Sequence, residues 1–472
     1  MANVIVIGAG MGGLSTAMLL ALDGHDVTVL ERDPEGPPDS PDEAWEHWRR
    51  RGVTQFRLPH FALARWRELV ERELPDVARA LEARGGLRWN PIDALPDTLT
   101  GNRREGDDRY TSLTARRPTL EASVAAAARN TYGLLIHRGV AVDGLLTGEP
   151  AAAGVPHVTG VRTTDGEDVV ADLVVDSSGR RSPLPRWLDA IGARPPVEER
   201  EDSGFVYYGR HFRSGDGSVP AASAVLLQHY DSISVLTLPA DNGTWCTAFI
   251  TSGRDRAVSG LRDPDRWHAA LARYPLAAHW GEGKPISDID VMAKLEDRYR
   301  RFVVEGEPVA TGVLVVGDAW ACTNPSLGRG LSIGLLHACG LRDLLREVTP
   351  AEPYKFAVRW DELTETTVAP FYRSTLAYDR HRLGEIDAQR AGQAYETGDP
   401  TWAITRAFST AALGDPGVFR AFLEVLSVYA LPESAIATPG VMERLLELGG
   451  DGSEPALLPG PDRAELLATL ER

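Results

Sequence analysis

Lysine is almost missing from this sequence. Lys284, Lys294 and Lys355 are the only three in 472 residues, so nearly all positive charge is arginine, as high-GC coding would produce. Cysteine is equally scarce: Cys246, Cys322 and Cys339 lie far apart, with neither CxxC nor metal-ligand spacing. That spacing excludes a disulfide framework and a vicinal dithiol, and predicts buried thiols in a reducing compartment. No apolar run is long enough to span a bilayer. Met1 leads directly into a strand-like segment without the charged region and cleavage site of a signal peptide, so a soluble, cytoplasmic chain is expected. Positive charge is also outnumbered, with 50 Lys and Arg against 67 Asp and Glu and a net charge of −17. Such a surface repels nucleic acid and anionic lipid, whose binding needs a positive field. There is no internal repeat and no low-complexity tract.

What is present is length enough for two or three full-sized cores. Asn3 to Ile7 is a β-branched run, Gly13 to Gly24 has helical spacing, and Asp26 to Leu30 is a second strand, which together make a βαβ unit. After a Pro/Asp-rich loop, Glu43 to Arg51 and Ala62 to Arg84 read as arginine-rich amphipathic helices. Segments near Phe205 to Phe212, Ala224 to His229, Ile233 to Leu238 and Trp245 to Thr251 suggest an antiparallel meander. From Ala357 onward the pattern is helical, broken by Pro370, Pro400 and Pro432. The expected fold class is α/β, with a Rossmann-like nucleotide-binding domain, an antiparallel β-sheet substrate domain and a helical C-terminal region. The first domain takes residues 1–185, with a helical insertion at about 42–105, and returns at 296–348. The β domain takes 186–295 and the helical region 349–472.

Gly8-Ala9-Gly10-Met11-Gly12-Gly13 fits GxGxxG between a strand and a helix. In that setting Gly8 allows the tight turn, Gly10 lets a pyrophosphate approach the backbone, and Gly13 lets the helix pack closely. The helix opening at Met11 offers free N–H groups and positive dipole to phosphate. Glu31 ends the second strand about 20 residues on, where an acidic side chain can accept from a ribose 2′-OH. A structural βαβ turn is the competing reading, and this fingerprint alone does not separate NAD from FAD. The second informative stretch is Gly312-Val-Leu-Val-Val-Gly317-Asp318-Ala319, followed by Asn324-Pro325-Ser326-Leu327-Gly328-Arg329-Gly330 and a helix. A strand ending in Gly-Asp can aim a carboxylate at ribityl hydroxyls. A glycine-rich helix start can place N–H groups near the flavin N1–C2=O edge, where negative charge develops on reduction.

In order and spacing these segments resemble the FAD-dependent monooxygenase superfamily with the para-hydroxybenzoate hydroxylase-type fold, which includes squalene epoxidase-like and styrene monooxygenase-like enzymes. The resemblance covers roughly the first three quarters of the chain. It implies that Gly8, Gly10, Met11, Gly13, Glu31 and Arg32 hold ADP, and that Arg117 in Arg117-Pro-Thr-Leu120 heads the helix beside the cofactor. It also implies that the Val140 backbone meets adenine and that Asp176-Ser-Ser-Gly179 stands behind the FAD. Gly317 and Asp318 with Pro325, Gly328 and Gly330 match the ribityl and isoalloxazine motif. Arg116 reads as a solvated arginine.

The chemistry implied by the resemblance is O₂ activation as a flavin C4a-hydroperoxide, followed by hydroxylation or epoxidation of an apolar natural product of the kind found in actinobacterial secondary metabolism. Electrons would come from NAD(P)H or a separate flavin reductase. A halogenase shares that cradle but needs a lysine after the first βαβ unit and a WxWxIP motif, and no lysine precedes Lys284 here. A C=C reductase resembling geranylgeranyl reductases is the alternative from another reaction class, and a flavoprotein with a binding role only is more remote. The segment 52–60 is similar to a stretch of actinobacterial monooxygenases and epoxidases. Within it His60 is a candidate proton donor near the flavin, although a lone histidine is more often structural. Gln55 and Arg57 read equally well as interdomain hydrogen-bonders. Trp245 and Trp320 fit either a substrate wall or the core.

Overall fold

The computed structural model describes residues 1–53, 55–453 and 457–471. One half is built on a five-stranded parallel sheet in the order 313–315, 173–176, 3–7, 26–31 and 134–138. The first strand, Asn3–Ile7, is central, and Val4, Ile5, Val6 and Ile7 are all buried. Its unbroken Val-Ile run suits that place, because a central parallel strand is covered on both faces. Val4, Val6, Val27 and Val29 share a core with Leu14, Leu120 and Leu341, from the helices Met11–Leu22, Arg117–Arg129 and Gly330–Glu347. Ile5, Ile7 and Leu30 point the other way, against Val158, Val161 and Trp187. The strand order reverses between Asn3–Ile7 and Leu173–Asp176. Open α/β sheets bind ligands in the crevice beyond the carboxyl ends of the strands at such a reversal.

The other half is an antiparallel sheet in the order 227–229, 234–239, 244–252, 205–213 and 284–285. Period-two alternation divides its faces. Val206, Tyr208, Phe212, Val235 and Phe249 pack on Trp267 and on the C-terminal Phe408 and Phe419. Tyr207, Leu236, Leu238, Ala248 and Ile250 face Leu58, Phe61 and Met292. The C-terminal helices Pro400–Gly414 and Pro416–Leu426 therefore share the core of the β-sheet.

Several expected elements are cut differently. The helix expected over 62–84 is two, Ala64–Glu73 and Pro75–Ala83, because Pro75 has no N–H and Leu74 (φ −135, ψ 56) leaves the helical region. The helix expected over 43–51 is Pro41–Glu46, with the Ser40 side chain accepting from the Glu43 N–H at 3.4 Å. Pro370, Pro400 and Pro432 sit in the first turns of helices, where a missing N–H costs nothing, and so start elements as well as interrupting the pattern. Between Pro353–Leu363 and Ala369–Arg390 the chain makes one π-helical turn, Thr364–Val368. The helix that follows buries Thr375, Asp379, Arg382 and Glu385, a polar inner face. The three cysteines are buried thiols, and among the described residues no helix is long and apolar enough to cross a membrane.

Three histidines are packed as neutral rings. His337 stacks on Trp360 at 4.4 Å, His211 lies 4.7 Å from Trp45, and His60 is held among cavity-lining residues. Burial pushes each down to about 3, with Arg116 adding to the effect at His211 and Arg117 at His60. The unfolded rings take protons below their ordinary 6.5 while the folded ones do not, so at these sites the unfolded state binds more protons between about 6.5 and 3, and they outnumber the buried carboxyls of Asp379 and Asp297, raised to about 8 and about 6, which act in the opposite sense. We expect the thermal midpoint to fall as pH is lowered from 7 to 5 at constant ionic strength. A midpoint that stays flat would mean these rings are not held neutral.

Candidate functional site

A cavity of about 1390 Å³ runs from the carboxyl ends of the parallel strands to the space between the antiparallel sheet and the C-terminal helices. Its first arm is built on the glycine turn. Gly8 has φ +102, and a Cβ there would sit 2.8 Å from the Ser177 carbonyl oxygen. A Cβ on Gly13 would sit 1.9 Å from the Gly8 carbonyl oxygen, so this glycine lies behind the wall and sets the helix against the strand. A Cβ on Gly10 would meet no protein atom within 4 Å, because the position faces open cavity beside Met11 and the helix N-terminus.

Glu31 lines this arm, but its carboxylate is engaged by protein. Oε2 accepts from the Ala9 N–H (2.7 Å) and from Arg50 (3.0 Å), and Oε1 accepts from the Asp33 N–H (2.9 Å). Arg50 is the buried centre of this cluster and also donates to Asp33 and Glu121, each at 3.0 Å. Burial opposes its charge, but Glu121, Glu31 and Asp33 outweigh that and hold its pKa above the ordinary value. Arg32, exposed, lines the same arm. The Val140 N–H is taken by the Glu31 carbonyl at 2.9 Å. Across the crevice, Gly179 belongs to the lining, whereas Asp176 is fully buried behind it, accepting from the Ser178 N–H at 2.9 Å and from the Ser182 hydroxyl. Burial raises its pKa.

Arg117 and His60 also line the cavity, and they touch each other. Arg117 Nη1 donates to His60 Nε2 at 3.1 Å, while His60 Nδ1–H donates to the Leu58 carbonyl at 3.0 Å. A ring so held is neutral with both nitrogens engaged. Arg117 Nε pairs with Glu121 at 2.7 Å, and although burial opposes ionisation of Glu121, Arg117 and Arg50 outweigh it and keep its pKa low. Gln55 lines the cavity, whereas Arg57 lies outside it, over the Trp45 ring at 5.1 Å. Arg116 is not solvated: it is buried and paired with Asp241 at 2.7 Å. Trp245 is a core residue, and Trp320, though buried, contributes to the lining. The lining contains none of the three lysines.

Between the two arms lies the loop 317–330. Gly317, Asp318, Pro325, Gly328 and Gly330 all line the cavity. The Asp318 carboxylate makes no hydrogen bond among the described residues, and a Cβ on Gly317 or Gly330 would meet no protein atom within 4 Å. Beneath the loop is a buried polar cluster for which the sequence offered no motif. Ser326 Oγ donates to Asp379 at 2.5 Å, Arg329 donates to Thr375 and to the Val425 carbonyl (both 3.1 Å), and the Asn324 N–H donates to Asp297 at 2.5 Å. Burial pushes Asp379 up to about 8 and Asp297 up to about 6. The second arm is apolar, lined by Leu227, Leu236, Leu238, Trp402, Phe408 and Phe422 among others, with His229 and Tyr378 in its wall. Its C-terminal share escaped the sequence reading, because helices 400–426 carry ordinary core spacing and no motif.

Comparison with known proteins agrees with this geometry. The chain is 27% identical over 398 residues to protein Rv3254 of Mycobacterium tuberculosis, covering 78% of each. It is 22% identical over 431 residues to a digeranylgeranylglycerophospholipid reductase of Haloferax volcanii, covering 83% of this chain and 92% of that one. Among solved structures it shares its fold with PqsL, a probable FAD-dependent monooxygenase of Pseudomonas aeruginosa, at a TM-score of 0.60 and 17% identity over 83% of this chain and 98% of the other. The sequence profile of FAD dependent oxidoreductases matches residues 3–343, from the first strand to the helix after the flavin-type loop, and the chain belongs to that family.

Proposed function

We propose that this FAD-dependent oxidoreductase is a monooxygenase that hydroxylates or epoxidises an apolar natural product, drawing electrons from NAD(P)H or a separate flavin reductase. The observation that carries the reading is the continuity of the cavity, whose polar, glycine-lined arm meets an apolar arm at the loop 317–330. The residues fit the cofactor, since Gly10, Gly317 and Gly330 leave open space and Asp318 presents an unengaged carboxylate.

On this reading Gly8, Gly10 and Met11 receive the pyrophosphate at the helix N-terminus, with Gly179 opposite and Arg32 at the edge. Gly13 and Asp176 shape the crevice from behind. Glu31 acts at one remove, by fixing the Ala9 N–H beside the phosphates and the Val140 backbone beside adenine. Asp318 accepts from ribityl hydroxyls, and Pro325, Gly328 and Gly330 present the positive end of the helix Gly330–Glu347 to the ring. Bound FAD supplies, once reduced, the electrons that activate O₂. The protein's part is to exclude water and to hold the substrate carbon at the ring, tasks suited to the apolar walls. His60, neutral and engaged at both nitrogens, orients Arg117 and is no proton donor in this arrangement.

A C=C reductase is the second reading, favoured by the name of the Haloferax relative. Two measurements test the proposal. Asp318→Ala should weaken FAD binding by about 1–3 kcal/mol, the usual loss for a charged hydrogen-bond partner, and Gly10→Val should weaken it further by filling the phosphate path. Titrations of both variants that match the parent would move the cofactor elsewhere. With reduced FAD and ¹⁸O₂, the product from an accepted polyketide, terpenoid or indole should carry one labelled oxygen, whereas reduction of that substrate under argon without label in air would establish the reductase.

A further inference from the structure

The wall of the apolar arm carries polar side chains for which the cofactor reading has no use: His381 and Asp399, paired at 3.1 Å, and a second pair that joins the antiparallel sheet to the C-terminal helices. His229 closes the edge strand Leu227–His229, and Tyr378 stands on the polar inner face of the helix Ala369–Arg390. His229 Nε2 lies 2.7 Å from Tyr378 Oη, and His229 Nδ1 lies 2.9 Å from Ser234 Oγ. Both rings belong to the cavity lining and are half-buried, with accessible surface toward the chamber. Aromatic rings stand beside them in the wall. Trp402 meets the Tyr378 ring edge-on at 5.7 Å, and Phe408 and Phe422 meet each other the same way at 5.7 Å.

Arg382 Nη2 donates to Ser234 Oγ at 3.2 Å and occupies one of its lone pairs. With the Ser234 hydroxyl proton directed to His229 Nδ1, the imidazole carries its own proton on Nε2 and donates it to Tyr378 Oη; the opposite tautomer reverses both bonds. Burial and the Arg382 charge hold the ring well below its ordinary pKa, which keeps it neutral as this pattern requires. In that tautomer the Tyr378 O–H is turned to the chamber. A hydroxyl proton facing apolar walls is costly until it finds an acceptor, and a ligand oxygen provides one.

We propose that Tyr378 donates a hydrogen bond to a substrate oxygen, so that the substrate is an apolar, fused-ring molecule bearing a hydroxyl or carbonyl group, and that His229 is the residue that positions Tyr378. The aromatic walls suit a planar ring system, and one directed donor in an apolar chamber fixes which edge of that system approaches the flavin loop. The inference rests on the second arm being the substrate chamber of the proposed oxygenase.

The test needs no turnover. Oxidised, FAD-loaded protein is titrated with 2-naphthol and with naphthalene, followed by the perturbation of flavin absorbance. The parent should bind 2-naphthol about tenfold more tightly, the effect of one hydrogen bond from a buried donor. Tyr378→Phe, which keeps the ring against Trp402, should remove that preference and leave naphthalene affinity and FAD content unchanged. His229→Phe should also remove it, and His229→Gln, whose amide nitrogen takes the place of Nε2 and can still donate to Tyr378 Oη, should restore part of it. An unchanged naphthol-to-naphthalene ratio in Tyr378→Phe overturns the proposal, as does a parent that binds both probes equally or neither. Because oxygen plays no part, such a failure leaves the monooxygenase reading to its own labelling experiment, and failure of the labelling leaves the binding result standing.

Discussion

Arg50 stands where three carboxylates converge, and the cofactor half of the cavity depends on that meeting. Its guanidinium joins Glu31 at the end of the second strand, Asp33 in the loop that follows, and Glu121 on the helix Arg117–Arg129. All these groups are nearly inaccessible to water. Three buried carboxylates around one cation are tolerable because two have further donors: Glu31 accepts from the N–H groups of Ala9 and Asp33, and Glu121 from Arg117. Without Arg50 the uncompensated charges would cost several kcal/mol, on the order of 3–5 for a broken buried pair. Through Glu121 the same cluster reaches Arg117 and His60. The glycine turn, the helix heading the crevice and the loop 55–60 are therefore held by one electrostatic knot.

That knot also marks the limit of the sequence reading. The fingerprint glycines were legible because each answers a local steric demand: a positive φ at Gly8, a carbonyl 1.9 Å from the Cβ position at Gly13, open space at Gly10. Glu31 was legible as a strand-end acid facing the nucleotide site. Its engagement by Arg50 was not, because the partner lies in a stretch read as a solvent-facing amphipathic helix. Arg116 shows the same difficulty over a longer span, since its partner Asp241 comes from a turn of the antiparallel sheet 125 residues away. Spacing reveals what the backbone must do locally, whereas charge pairing across domains is set by packing.

The apolar arm illustrates a different limit. Its walls are drawn from the edge strand 227–229, the helix Ala369–Arg390 and the helices 400–426, whose apolar residues have the spacing of any amphipathic helix. Phe408 and Phe419 line the cavity and also belong to the core under Tyr208 and Trp267. A residue that is both core and wall leaves no separate signal of its second role. What the sequence did carry was the exception to helical patterning on Ala369–Arg390, whose polar residues fall on the buried side.

The π-helical turn Thr364–Val368 gives that exception a mechanical origin. One such turn holds an extra residue relative to α-helical pitch, so it acts as a phase shifter for everything that follows. Were the same residues to take α pitch there, the following helix would turn by about 100°. Ala377 would then take the angular place of Tyr378, and Tyr378 that of Asp379. Thr364–Val368 contributes no side chain to the cavity lining, yet the angular setting of the chamber's polar groups is encoded in its length. In homologous chains, a change of pitch at this turn with no change of length would act as a dial on the chamber, independent of any change in the wall itself.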